Sequence, residues 1–341
     1  MGAKNVIFFV ILSLVCIAGL SQDSIAVKGP AEKLSTYRFF FKGEDHAFPK
    51  ENGNSLFTLL TYLYKNDHVR YLVMEFGPDF AFLANQYLET GDDSLLIERR
   101  LYFFKEFWKN LYEFNRSKDS LERIKVIGFD FNRFTFTAKV FDQILKRKNL
   151  FPHEELRSAF AKIIGWKDTD WDFDKQRQFD KGFGQFRSLC KTYEQELEDW
   201  LGIDYDIFYA IINNNTAVSE KVKRDKTVVT GLKKYIHEAG DENYLFNYGI
   251  EHIFLDGIGL AYLLANSEEF KGKVCSIYPR YPLKIKQESE PLTAFDKFFP
   301  AELRNELDSY PGNSLVSLEK VGAYPGKFKK AQWVLIIPAI E

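Results

Sequence analysis

Apolar residues in this chain fall into short continuous runs separated by longer stretches in which apolar and polar positions alternate with helical spacing. Tyr37 to Phe41, Tyr71 to Phe76, Ile124 to Phe129, Tyr244 to Tyr248, Val274 to Tyr278 and Trp333 to Ile337 have strand length and strand composition. Between the first three, Leu56 to Tyr64 and Ala81 to Tyr112 carry an amphipathic helical pattern. Strands that are apolar throughout and joined by helices predict an α/β fold, with a mostly parallel central sheet covered by helices, because each crossover returns the chain over the sheet.

The texture changes from Arg133 to Glu242, where charge-rich helical stretches follow one another without a convincing strand. Phe134 to Arg147, Phe183 to Leu201, Tyr205 to Asn213 and Ser219 to Glu238 are the helices expected there. Pro291, Pro300, Pro311 and Pro325 predict irregular chain before a closing strand. The organisation read from the pattern is a signal peptide at 1–21, a first part of the α/β core at 22–132, a helical insertion subdomain at 133–242 and a second part of the core at 243–341.

The signal reading rests on Lys4, the apolar run Val6 to Leu20, and small Gly19 and Ser21 before polar Gln22. That run is shorter than the roughly 20 residues a spanning helix needs. Cys16 is preceded by Val15 where a lipobox takes a small residue, so cleavage rather than lipidation is expected. The product is expected to be periplasmic or secreted, with no stable membrane insertion after cleavage. Basic residues number 46 against 48 acidic ones, a balance that calls for no nucleic acid partner. Three cysteines exclude a disulfide scaffold, no zinc spacing occurs, and the 33 phenylalanines point to a thick core.

Ligands in open parallel sheets bind beyond the carboxyl ends of the strands. Four of the apolar runs lead there into acids or imidazoles: Glu44, Asp45 and His46 after the first, Glu75 after the second, Asp130 after the third, and Glu251 and His252 after Tyr248. One such residue caps a helix as readily as it binds a ligand. Several together repel and desolvate one another unless a ligand, a cation or a shared proton compensates. If the chain stays extended through Glu44 to His46, the two side chains point to one centre. His68, His153 and His237 lie in polar or helix-end settings and read as solvated. The run Asp168, Asp170, Asp172, Asp174 lacks the glycine and closing glutamate of a calcium loop, with Phe173 and Phe179 in those places. Asn115 and Asn214 to Thr216 match glycosylation sequons, a pattern without weight in a bacterial host. The serine elbow, the Walker loop, the dinucleotide glycine fingerprint and the paired-histidine zinc motif are all missing. What remains is chemistry by acid, base or a bound metal, through residues of the kinds just named.

These residues, in order, resemble the erythromycin-esterase family and its wider superfamily, which includes ChaN-like haem-binding lipoproteins and Tiki/TraB metalloproteases. Gly43-Glu44-Asp45-His46 resembles the first motif, Val73-Met74-Glu75 the second, Gly128-Phe129-Asp130 a third, and Arg224-Asp225 through Leu232 the Arg-Asp helix. Asn247 to Leu264, with His252, resembles the second histidine motif, and Trp333 to Ile337 the closing strand. The resemblance implies that His46 is a general base acting on water for attack on a small-molecule ester or lactone. Glu44, Glu75 and His252 would then position and polarise, with Asp130, Arg224 and Asp225 in support and no cofactor required. Two alternatives stay open. The Glu44 to His46 spacing is nearer the ChaN-like pattern, which implies haem or iron held by exposed His or Tyr at this edge. Alternatively Glu44, His46, Glu75 and His252 ligate Mn²⁺ or Zn²⁺ in a metal-dependent hydrolase. Asp225 also shares a helical stripe with Val228, Val229, Leu232 and Ile236, so it is expected to be buried and to need a partner, either a structural salt bridge or the site itself.

Overall fold

The computed structural model describes residues 25–46, 48–96, 104–149, 151, 153–214, 221–281, 299–322 and 330–338. The signal segment, Cys16, Asn215, Thr216, Pro291 and Pro325 lie outside the described residues. No described helix is long and apolar enough to cross a membrane.

The apolar runs become the strands of one eight-stranded sheet. In chain order the strands are β1 (Ala26–Lys28), β2 (Phe39–Glu44), β3 (Val69–Met74), β4 (Lys125–Gly128), β5 (Asn243–Gly249), β6 (Val274–Arg280), β7 (Ser314–Ser317) and β8 (Trp333–Ile336). Their spatial order is β1-β7-β8-β6-β2-β5-β3-β4, and every pair is parallel except β7 with β8. This is the mostly parallel α/β architecture that the alternation implies. The sequence pattern misses β1 and β7 because AVK and SLVS are too short to register as runs, and their pairing comes from the neighbouring chain.

Helices α1 (Pro49–Asn66), α2 (Pro78–Thr90) and α3 (Lys105–Arg116) separate the first strands. The single stretch expected from Ala81 to Tyr112 is two helices, because Gly91 adopts φ +69° and caps α2. Then come α4 (Phe134–Lys146), α5 (Glu154–Ile164), α6 (Phe173–Thr192), α7 (Glu194–Leu201), α8 (Tyr205–Asn213) and α9 (Lys221–Ala239). Phe183 to Leu201, expected as one helix, is divided at Tyr193. Finally α10 (Leu260–Ala265) and α11 (Ala301–Asp308) cover the second part of the sheet.

Alternation along β2 shows why both faces are covered. Phe39 and Phe41 join a core with residues of α9, α10 and α11, while Phe40 joins a second core with residues of α1 to α8. Lys42 shares the face of Phe40 and is completely buried. Phe141, Phe160, Phe183, Phe186 and Phe208, from the helical segment, are continuous with that second core. Several polar features of the sequence are spent on structure. Asp172 caps α6 by accepting from the Lys175 N–H at 2.8 Å. Asn115 is buried and brackets Ile124, donating to its carbonyl at 2.8 Å and accepting from its N–H at 3.0 Å. Cys190 and Cys275 are free and buried.

Candidate active site

The strand ends of β2, β3, β4 and β5 lie side by side, so the residues that follow them meet at one edge of the sheet. Glu44 is the last residue of β2. The chain does not stay extended to His46, because the Asp45 carbonyl accepts from the Phe48 N–H at 3.0 Å and turns the backbone into α1. The turn still brings the pair together. His46 Nδ1 lies 3.4 Å from Glu44 Oε1, and the imidazole is 73% exposed while Glu44 is buried.

Glu44 is held from behind by two residues that the sequence reading did not single out. The Asn247 side-chain amide donates to Glu44 Oε2 at 2.5 Å. Lys42 Nζ donates to Asn247 Oδ1 at 3.3 Å and to the Gly43 carbonyl at 3.1 Å. An ammonium can only donate, so it fixes which end of the Asn247 amide faces it and turns the NH₂ toward Glu44. The signal for Lys42 was present in the sequence: a lysine directly following Phe39, Phe40 and Phe41 must be buried on one face of the sheet. Burial raises the Glu44 carboxyl above its usual range, and the His46 charge opposes that rise. Burial lowers Lys42 to about 8, opposed by Glu44.

Glu75 follows β3 and is the second carboxylate of the edge. Its Oε2 accepts from the Gly249 N–H at 2.7 Å and its Oε1 from Arg224 Nη2 at 3.2 Å. Burial pushes the Glu75 carboxyl up, but His252, Arg224, the Gly249 N–H and His46 together bring it below the usual range. Arg224 Nη2 also lies 2.7 Å from His252 Nε2, and His252 Nδ1 lies 3.0 Å from Asp225. A guanidinium has no lone pair to offer, so Nε2 of His252 accepts and Nδ1 carries the proton toward Asp225. In this arrangement both ring nitrogens of His252 are engaged. His46 is left as the exposed imidazole of the edge, with Nδ1 toward Glu44 and Nε2 available to a ligand.

Asp130 is fully buried and does not reach the cleft. Its Oδ1 accepts from the Phe131 N–H at 2.7 Å and lies 3.7 Å from Arg224 Nε. Burial raises its carboxyl, opposed by Arg224. Its place depends on Gly128: a Cβ there would stand 2.2 Å from the Gly77 carbonyl oxygen, and that close approach lets the Asp130 N–H donate to the Phe76 carbonyl at 3.0 Å. Asp225, 2% exposed, lies on the stripe with Val228, Leu232 and Ile236, and its partner is His252. The two expectations for Asp225 therefore merge, since its hydrogen bond with His252 is structural and also orients a residue of the edge.

Two connected hollows open here. One, of about 330 Å³, is lined by Glu44, Asp45, His46, Glu75, Glu251 and His252 among others. The other, of about 270 Å³, shares Glu44, His46 and Glu75 and continues past Arg224 among aromatic side chains. One ligand atom from each of Glu44, His46 and Glu75 lies within 4.8 Å of the others, so this trio fits a divalent cation by donor type. His252 does not join it, because its Nε2 is taken by Arg224. Among the described residues, the tyrosines close to this edge, Tyr248, Tyr278 and Tyr281, are buried, whereas His46 is an exposed ring of the kind a haem iron would need.

The sequence matches no family model and no curated protein. Among solved structures, the chain is similar to a mutant of erythromycin esterase EreC in its open conformation, at 12% identity over 91% of this chain and 93% of that one, with a TM-score of 0.55. It is also similar to a protein from Bacillus cereus, at 14% identity over 74% of this chain and 67% of that one, TM-score 0.49. A third likeness is to ChaN of Campylobacter jejuni, in a structure describing cofacial haem binding, at 13% identity over 73% of this chain and 84% of that one, TM-score 0.32. At such identities the likeness is one of fold, and it is the esterase that superposes well enough to carry it. The chain therefore has an α/β fold similar to that of erythromycin esterase.

Proposed function

We propose that this protein is a hydrolase of small-molecule esters or lactones, working by direct attack of water. The observation that carries the reading is the exposed His46 imidazole, paired through Nδ1 with buried Glu44 at the rim of a cleft that also holds Glu75. Glu44 keeps the Nδ1 proton in place, so Nε2 takes a proton from water as the water oxygen bonds to the carbonyl carbon. The bond between that carbon and the ester oxygen then breaks. The proton held on His46 passes to the departing alkoxide, which leaves an alcohol and a carboxylic acid. Glu75 and Arg224 face the same cleft, and Arg224 supplies positive charge where the carbonyl oxygen becomes negative. His252 and Asp225 hold Arg224 and Glu75 in register. The esterase-like fold supports this reading, and so does the missing serine elbow, since water attack needs no nucleophilic side chain.

A second reading is favoured by the convergence of Glu44, His46 and Glu75 on one point. A divalent cation there would polarise the carbonyl and acidify the attacking water. The export signal expected at 1–21 would bring either enzyme into contact with periplasmic or external substrates. The test is a panel of esters and lactones offered to the purified protein, before and after exhaustive chelation. Turnover that survives chelation supports the water-base mechanism, turnover lost with chelation and restored by Mn²⁺ or Zn²⁺ supports the metal reading, and no turnover of any ester or lactone overturns the proposal.

A further inference from the structure

The second hollow is built differently from the first. Beyond the shared Glu44, His46 and Glu75, its wall includes Phe76, Phe104, Phe131, Arg133, Trp171 and Phe173, with Met74, Asn247 and Arg224 toward the sheet. The sheet edge supplies Phe76 and Phe131, whereas Trp171 and Phe173 come from the helical segment at the start of α6. The wall is held rigidly. Trp171 Nε1 donates to Gln176 Oε1 at 3.1 Å, and Gln176, itself fully buried, donates to the Asn132 carbonyl at 3.0 Å. The Arg133 guanidinium packs 4.8 Å from the Phe76 ring centre and 4.9 Å from that of Trp171. Phe173 stands edge-on to Trp171, with centroids 4.7 Å apart, and remains 54% exposed. These rings are pre-positioned and lie directly beside the reacting groups.

We propose that the site takes esters bearing a single aromatic ring, with the ring in this lobe and the carbonyl at the junction formed by Glu44, His46 and Glu75. The inference rests on the hydrolase reading and specifies its substrate. Size and chemistry both lead there. An apolar cavity of about 150 Å³ accepts one benzene ring, so a lobe of about 270 Å³ has room for one ring with its linker. Aromatic side chains lining a space favour an aromatic guest over a saturated one of equal size, because ring–ring contacts add to simple area burial.

The test is equilibrium binding, followed by tryptophan fluorescence and ligand-observed NMR, of N-benzylacetamide and N-(cyclohexylmethyl)acetamide. These amides mimic the ester without being turned over. The benzyl compound is expected to bind about 2- to 12-fold more tightly than its saturated partner, the range that one aromatic pair contributes. Phe173→Ala, at an exposed position where folding is not at stake, and Trp171→Leu should each narrow that ratio. Equal affinities, no binding of either compound, or a ratio unmoved by both wall substitutions overturns the proposal. The hydrolase reading is judged separately. Ring preference without any ester turnover would retain the aromatic lobe and remove hydrolysis, and turnover without ring preference would do the reverse.

Discussion

Replacing Lys42 by methionine should make the protein more stable at neutral pH and less competent at its site. Lys42 is completely buried, and burial lowers its ammonium from 10.5 to about 8. Below pH 8 both the folded and the unfolded chain carry the proton, and the folded chain bears the whole cost of the buried charge, about 3 kcal/mol for a shift of that size. Between pH 8 and 10.5 the unfolded chain binds a proton that the folded chain has lost, so wild-type stability rises with pH through that window. Methionine fills similar space without the charge, but it cannot donate to Asn247 Oδ1 and the Gly43 carbonyl, at about 1 kcal/mol for each lost bond. The net expectation at pH 7 is a gain of about 1 kcal/mol for Lys42→Met. By pH 9.5 about 2 kcal/mol of the wild-type cost is relieved, and the order of stabilities reverses. Urea unfolding of both proteins at the two pH values measures this, and taking the difference between them cancels the ionisation of shared tyrosines. A difference that does not change with pH would refute the reasoning. The same variant frees Asn247 to turn its carbonyl toward Glu44, so ester turnover should fall even as stability rises, which identifies Lys42 as a residue kept for the site.

Two further substitutions probe the frame of the edge. Arg224→Met leaves Glu75, Asp130 and Asp225 buried without their shared cation and should cost about 3–5 kcal/mol at pH 7. The carboxyls stranded in that variant would hold protons more tightly when folded than when unfolded, so the deficit should shrink as pH falls toward 5, and denaturant unfolding at both pH values checks it. Gly128→Ala drives a methyl group against the Gly77 carbonyl oxygen and should lower stability by about 1–3 kcal/mol or more, measured by the shift in urea midpoint at constant slope.

The parallel sheet was legible in the sequence because its strands are buried on both faces and therefore continuous in hydrophobicity, as Phe39 to Phe41 and Tyr244 to Tyr248 show. The strands β1 and β7 were not, since three or four residues carry no periodicity and their pairing is decided by contacts far away in the chain. The edge residues were visible because strand ends in such sheets face a common rim. What joins them was not. That Asp225 meets His252 through its ring, that Arg224 occupies His252 Nε2, and that Lys42 fixes Asn247 are facts of side-chain geometry across distant segments. The turn at Asp45 was hidden for a similar reason, since strand alternation alone carried the chain on to His46. The aromatic lobe was missed because Trp171 and Phe173 lie in an acidic run that reads as a solvated loop, and only the packing of α6 against the sheet edge brings them to Phe76 and Phe131.

The most direct test of the central claim is the ester turnover number of His46→Ala beside that of wild type, with the fold of the variant verified by circular dichroism. A positioned base supplies about 10²- to 10⁴-fold in rate, and removal of a 73% exposed side chain should leave the structure intact. Loss of turnover within that range, in a variant that unfolds at the wild-type midpoint, is the predicted result. A folded His46→Ala protein that hydrolyses its ester at the wild-type rate would contradict the account.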